Sequence, residues 1–212
     1  MSMFSIKNKH CIVTGAGRGI GYELARSLHN TGAIVTGVDK SFKKDNYDFS
    51  KKAIDLTDSK QISEFCKRIT KLDVLVNCAG VTIQSDQDYN LDDWNQTMSI
   101  NLTAPFLLTR DLKRALLESN SPSVINISSL NGKLAFPNNP AYVASKSGLD
   151  GLTRSFALDF GILGIRVNSI APGYIKTDMT GDSWHNLEKR EQRQKRTMLN
   201  RWGNPEDLVG PV

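Results

Sequence analysis

Tyr142 and Lys146 stand one helical turn apart in Tyr142-Val143-Ala144-Ser145-Lys146, so on a helix both side chains rise from one face. A tyrosine that moves protons needs help, because its ordinary pKa is about 10. A neighbouring ammonium favours the phenolate and lowers that value. Taken alone, such a pair is a common feature of helix surfaces. Ser129 changes its weight: it closes Asn126-Ile127-Ser128-Ser129, and a hydroxyl at a strand end can hold a carbonyl or alcohol oxygen. Together the three side chains read as a device for moving a proton onto or off an oxygen atom.

A second constellation lies near the start of the chain. Thr14-Gly15-Ala16-Gly17-Arg18-Gly19-Ile20-Gly21 follows an apolar run and opens a helix-period segment. Glycine lets the backbone turn tightly and approach a pyrophosphate without a Cβ in the way, and a helix N-terminus offers free N–H groups and a favourable dipole. The common GxGxxG spacing from Gly15 would need glycine where Ile20 stands; the spacing is instead Gly15-x3-Gly19-x-Gly21. Asp39 ends the next apolar run, 20 positions after Gly19. An acid there accepts hydrogen bonds from the adenosine ribose and repels a 2′-phosphate, which favours NAD. Arg18 and Lys40 pull toward NADP, since either can neutralise that phosphate, so NADP is kept as the second possibility. The positive nicotinamide of the oxidised cofactor would further favour a Tyr142 phenolate.

These residues need elements to hold them. Short apolar runs read as strands at Cys11–Thr14, Ala33–Val38, Lys52–Ile54, Leu72–Asn77, Val124–Ser128 and Arg166–Ile170. Several are nearly continuous in apolar character, as strands covered on both faces are. Helices are predicted over Ile20–Leu28, Ser59–Ile69, Leu91–Ser119 with a bend near Pro105, and Ala141–Phe160, because proline lacks the N–H an interior turn needs. Pro205-Glu206-Asp207-Leu208 reads as a further helix start. Strand–helix alternation predicts an α/β fold, a Rossmann-type doubly wound parallel sheet with helices on both faces, in a single domain over 1–212.

Composition removes other classes. The apolar runs are too short to span a bilayer, and Met1 to His10 has no long apolar stretch of a secretory signal, so no membrane partner and a cytoplasmic location are expected. Cys11, Cys66 and Cys78 make an odd count without a CxxC pair, and His10, His29 and His185 are scattered; reduced thiols and no metal centre follow. The net charge of +5 is concentrated in Lys189-Arg190-Glu191-Gln192-Arg193-Gln194-Lys195-Arg196. Without interleaved aromatics this run reads as a solvated helix face, not a nucleic-acid surface.

The combination resembles the short-chain dehydrogenase/reductase family, in its shorter-subunit branch. It is carried by Thr14-Gly15-x3-Gly19-x-Gly21, Asp55-Leu56, Asn77-Cys78-Ala79-Gly80, Asn101, Ser129, Tyr142-x3-Lys146 and Pro172-Gly173-x-Ile175-x-Thr177, all in order. The resemblance implies a catalytic set of Asn101, Ser129, Tyr142 and Lys146. Tyr142 is the general acid/base, Lys146 lowers its pKa and binds the nicotinamide ribose, and Ser129 orients the reacting oxygen. Asn101 kinks the fourth helix and holds a water that links Lys146 to solvent. Gly15, Arg18, Gly19, Ile20 and Asp39 serve the phosphates and ribose. Asp55 and Leu56 contact the adenine; Asn77, Ala79 and Gly80 line the cleft and stabilise the sheet; Pro172, Gly173, Ile175 and Thr177 cover the nicotinamide.

The implied reaction is hydride transfer between a secondary alcohol or ketone, a sugar or sugar acid among them, and the nicotinamide. The alternative substrate is a 3-oxoacyl thioester reduced with NADPH. A non-catalytic cofactor-binding regulator is the rival from another class, although such relatives usually lose the tyrosine or lysine. Specificity is expected around Tyr174 and in Met179–Leu199, read as a mobile lid. A homodimer or homotetramer is implied, with the helices after the fourth and fifth strands meeting across a two-fold axis; Phe106, Leu107, Leu152 and Phe156 are candidate contacts, though some of them must face their own sheet. Cys78 stands where the family usually has asparagine. The family also continues past this point to a last strand, so a chain truncated at its C-terminus, with the Arg166–Ile170 strand left as an open edge, is expected.

Overall fold

Six strands form one parallel sheet in the order β3-β2-β1-β4-β5-β6: β1 His10–Thr14, β2 Ile34–Asp39, β3 Ser50–Ala53, β4 Val74–Asn77, β5 Ser123–Ile127 and β6 Arg166–Ile170. This computed structural model describes residues 5–43, 46–84 and 88–212; the first residues of the N-terminal stretch considered above fall outside them. Strand order reverses between β1 and β4, the place where parallel α/β sheets open a crevice at their C-terminal ends. The alternation of side chains along a strand explains the apolar runs. Cys11 and Val13 of β1 pack on one face of the sheet, while Ile12 packs on the other. On the first face lies α1, Gly19–Asn30, contributing Leu24, Ala25 and Leu28. On the second lie α2, Ser59–Lys67, with Ile62 and Phe65, and the long α6, Pro140–Gly161, with Phe156 and Phe160. The two margins differ from the interior: β3 is exposed throughout and carries Lys51 and Lys52, charges that discourage strand addition. Ile54, placed in that strand by its apolar character, lies just past it and is buried.

The long helix foreseen over Leu91–Ser119 is broken. It runs as α3, Leu91–Met98, a π-helical turn at Ser99–Thr103, α4, Ala104–Asp111, and α5, Lys113–Leu117. The irregularity precedes Pro105 by one turn. Proline both lacks an N–H for the carbonyl four residues back and presses its ring on that carbonyl, which here belongs to Asn101. The chain relieves this with a wider turn in which the Ala104 N–H reaches the Ser99 carbonyl. Beyond β6, a loop leads to two short helices, α7 Gly181–His185 and α8 Leu187–Gln194. Pro205–Leu208 makes a single 3-10 turn in place of the α-helix start expected there, and Leu208 packs against the α1 layer. Among the described residues, no helix is long and apolar enough to cross a membrane.

Candidate active site

A cleft of about 580 Å³ opens along the C-terminal ends of the strands. Its floor is the glycine turn. Gly15 and Gly19 have φ of +71° and +57°, values that a side chain strains to adopt. A Cβ on Gly15 would come within 2.9 Å of the Ala79 Cα, so the turn at β1 touches the end of β4. Thr14 ties the two together, its hydroxyl accepting from the N–H groups of Cys78 and Ala79 at 3.0 Å each. α1 begins after Arg18 without any side-chain cap, leaving its first amides to an anion in the cleft. A pyrophosphate therefore fits this turn.

Asp39 borders the same cleft. Its carboxylate accepts from the Gly17 N–H at 2.9 Å and the Ser41 N–H at 3.2 Å, and the Tyr47 hydroxyl donates to the Gly17 carbonyl at 3.0 Å. Asp55 and Leu56 line the wall beside it. The Asp55 carboxylate is gripped by Lys40 at 2.7 Å and by the Thr57 amide and hydroxyl. These donors, Lys40 first, hold its pKa down at about 2. Lys40 is thus engaged by an acid, which the chain order of the residues did not reveal, and Arg18 remains exposed at the cleft.

At the inner end, Ser129, Tyr142 and Lys146 converge on the cleft. Lys146 is buried and donates to the Ile127 carbonyl at 2.8 Å, with its ammonium 5.8 Å from the centre of the Tyr142 ring. Burial lowers its pKa to about 8, against the opposing pull of Cys78 and Asp150. The Tyr142 phenol moves the other way from the sequence expectation: burial raises its pKa, and a hydrogen bond with Ser129 only partly offsets this. In the protein alone, desolvation is the largest influence on the phenol. Cys78 also faces the cleft, and burial pushes its thiol up to about 12, leaving it a neutral wall group. All three cysteines are free. Among the described residues, no group of three or more His, Cys, Asp or Glu could hold a metal ion.

Asn101 sits behind the cleft, buried in the π turn. Its amide oxygen accepts from the Val81 N–H at 2.8 Å, and its amide nitrogen donates to the Val81 carbonyl at 2.9 Å and to the Ser145 hydroxyl at 3.1 Å. It thereby fastens the Gly80–Val81 wall to the helix that carries Tyr142 and Lys146. Asn77 requires a correction. It is buried and does not line the cleft; its amide donates to the Asn126 side chain at 2.8 Å and to Thr109. Strand alternation turns it into the sheet, whereas Ala79 and Gly80, past the strand end, reach the cleft. Gly15, Gly19, Ile20, Pro172, Gly173, Ile175 and Thr177 all lie on the cleft as expected.

The segment after Thr177 returns to the cleft wall through bonds from the Lys176 N–H to the Gly203 carbonyl and from the Gly203 N–H to the Tyr174 carbonyl. Its core is aromatic: Trp202 lies 5.5 Å from Tyr174 and 5.4 Å from Trp184. Neither tryptophan was singled out from the sequence, because neither belongs to a periodic run. The basic stretch is not a wholly solvated face either. Arg190 stacks on Trp184 at 5.1 Å and Arg193 on Tyr174 at 5.4 Å.

The family model described as short chain dehydrogenase matches residues 9–188. The 3-oxoacyl-[acyl-carrier-protein] reductase FabG of Rickettsia bellii is 34% identical over 220 residues, covering 99% of this chain and 90% of that protein. The 2-dehydro-3-deoxy-D-gluconate 5-dehydrogenase of Bacillus subtilis is 33% identical over 223 residues, covering 98% and 87%. The solved structure of 4-hydroxyisoleucine dehydrogenase complexed with NADH has a TM-score of 0.90 at 31% identity, covering 96% of this chain and 89% of that one. Other similar structures hold NADP.

Proposed function

The chain belongs to the short-chain dehydrogenase family, an NAD(P)-dependent oxidoreductase acting on CH–OH groups, and on that premise we propose that it interconverts a secondary alcohol and a ketone on a sugar acid, with NAD as its preferred cofactor. The observation that carries this reading is the division of one cleft: a proton-moving set at its inner end and an acid at the ribose end. When bound, the dinucleotide supplies or accepts the hydride. Tyr142 gives or takes the proton at the substrate oxygen, and Ser129 orients that oxygen. Lys146 anchors the nicotinamide ribose and, with the cofactor's charge, counters the burial that holds the phenol neutral. Asn101 keeps the wall and α6 in register, and links Lys146 to solvent through a water. Asp39 takes the ribose hydroxyls and excludes a 2′-phosphate; the capture of Lys40 by Asp55 removes one of the two cations that argued for NADP. The protein acts in the cytoplasm as a dimer or tetramer. Support for the assembly is a shallow apolar groove between α4 and α6, where Gly148 and Gly151 leave room beside Leu102, Leu152 and a partly exposed Phe106.

A second reading, reduction of a 3-oxoacyl thioester with NADPH, is favoured by the likeness to FabG. One experiment separates them. Purified protein is assayed on sugar acids and on a 3-oxoacyl thioester, each with both cofactors. Turnover of a sugar acid with NAD, lost by about 100-fold or more in Tyr142→Phe while NAD affinity holds, is the expected result. Asp39→Ala should narrow the gap between NAD and NADP affinity. Thioester reduction with a strong NADPH preference would overturn the reading in favour of the second.

A further inference from the structure

The wall that follows β4 is tied to α6 on both sides of Tyr142. Val81 is held through Asn101 to Ser145, and the next residue, Thr82, is held directly by Asn139. Asn139, Tyr142 and Ser145 recur every three residues, so they share the helix face turned to this wall. Asn139 stands at the capping position of α6, where an asparagine ordinarily accepts from the first free N–H groups of its own helix. It makes no such bond. Its amide instead donates across to the Thr82 hydroxyl at 2.7 Å. Only 7% of Asn139 is exposed, and its buried amide oxygen has no partner among the described residues. Giving up a cap and burying an unpaired acceptor are both unfavourable, and such departures from local rules mark functional sites.

Thr82 lines the cleft together with Ser129 and Tyr142. Its hydroxyl accepts from Asn139 and, among the described residues, donates to none. An oxygen that accepts along one direction turns its proton away from that donor, and the space beside this half-buried residue is the cleft. Position along α6 says what the proton meets. On the reading above, Lys146 holds the nicotinamide ribose and Tyr142 the reacting oxygen. Asn139 lies three residues nearer the helix start, about 4.5 Å along the axis, on the side away from that ribose. We propose that Thr82 donates to a second substrate oxygen, on the carbon next to the reacting one, and that Asn139 is the positioning residue that aims its hydroxyl. The proposal rests on the alcohol–ketone chemistry assigned above and names what selects a polyhydroxy substrate over a simple secondary alcohol.

The test compares 2,3-dihydroxybutanoate with 3-hydroxybutanoate, which lacks only the neighbouring hydroxyl, on the full chain with NAD. In Thr82→Val the preference for the first acid, read as a ratio of kcat/KM values, should fall about 3- to 10-fold, the effect of one neutral hydrogen bond. Thr82→Ser, which keeps the hydroxyl, should retain the preference. Asn139→Asp should lose it as Thr82→Val does, with an unchanged melting temperature. Its carboxylate only accepts, so it keeps the tie but draws the Thr82 proton away from the cleft; a merely structural tie predicts no loss in that variant. If neither acid turns over, calorimetric titration of the NAD complex with each gives the same ratio as affinities. A falling ratio alongside inactive D-gluconate upholds the subsite and ends the sugar-acid reading. An unchanged ratio in Thr82→Val, a preference retained in Asn139→Asp, or no binding of either acid would overturn the subsite.

Discussion

Lys146 sits where two demands conflict. A buried ammonium is unfavourable, and its pKa falls to about 8, yet the charge is what steadies a phenolate on the neighbouring helix turn. The unfolded lysine titrates near 10.4. Between about pH 8 and 10.4 the unfolded chain therefore binds more protons than the folded one, and stability due to this residue rises with pH. Below pH 8 both states are protonated and the full burial penalty is present. Lys146→Met removes this titration. The stability of the unmodified protein relative to Lys146→Met should then climb by roughly 1–3 kcal/mol from pH 7.5 to 10. Denaturant unfolding at several pH values measures it, and a flat difference would show that the ammonium is not desolvated. The same burial keeps Cys78 and Tyr142 neutral at pH 7, so the folded cleft holds a single buried cation among them.

At the scale of elements, the π turn at Ser99–Thr103 is what lets one side chain serve two walls. A regular helix through Asn101 would collide with Pro105. The widened turn instead sends the Asn101 amide to both backbone groups of Val81 and to Ser145. Asn101→Ala leaves those backbone groups short of partners, at a stability loss of about 1–3 kcal/mol. NAD affinity should weaken with it, because Gly80 shares the wall. Unfolding curves and cofactor titration check both; a change under about 0.5 kcal/mol, within the ordinary range for surface substitutions, would show that the turn holds its shape without this side chain.

For the whole molecule, the faces of α4 and α6 divide their work. Of the four apolar residues expected on the surface between copies, Phe156 is one that faces its own sheet, buried 4.8 Å from Phe160. Phe106, 37% exposed, stacks on it from outside at 6.0 Å. Leu107 and Leu152 are half-buried at the edge of the same core. Phe106→Glu should accordingly convert a dimer or tetramer to monomer at micromolar concentration while leaving the fold intact. Light scattering alongside circular dichroism reads both; an unchanged mass would move the interface elsewhere. β6 lies at the margin of the sheet, with Arg166, Asn168 and Ser169 exposed.

The sequence by itself determined the alternation of strands and helices, the glycine turn, and the Tyr142–Lys146 face. Each is written in contacts within a few residues: a period of two or of 3.6, a positive φ, a single helical turn. Arg166–Ile170 is bounded to the residue for that reason, whereas β3 begins two residues before the apolar run at Lys52–Ile54 and the helix expected over Leu91–Ser119 is broken by the π turn before Pro105. Tertiary structure decided what depends on partners distant in the chain. Asn77 turned into the sheet toward Asn126, Lys40 went to Asp55, and Tyr47 crossed to Gly17. Arg193 left its basic run for the Tyr174 ring. A side chain's type states what it can bind, but which group reaches it depends on the neighbours that sheet order and helix packing bring alongside.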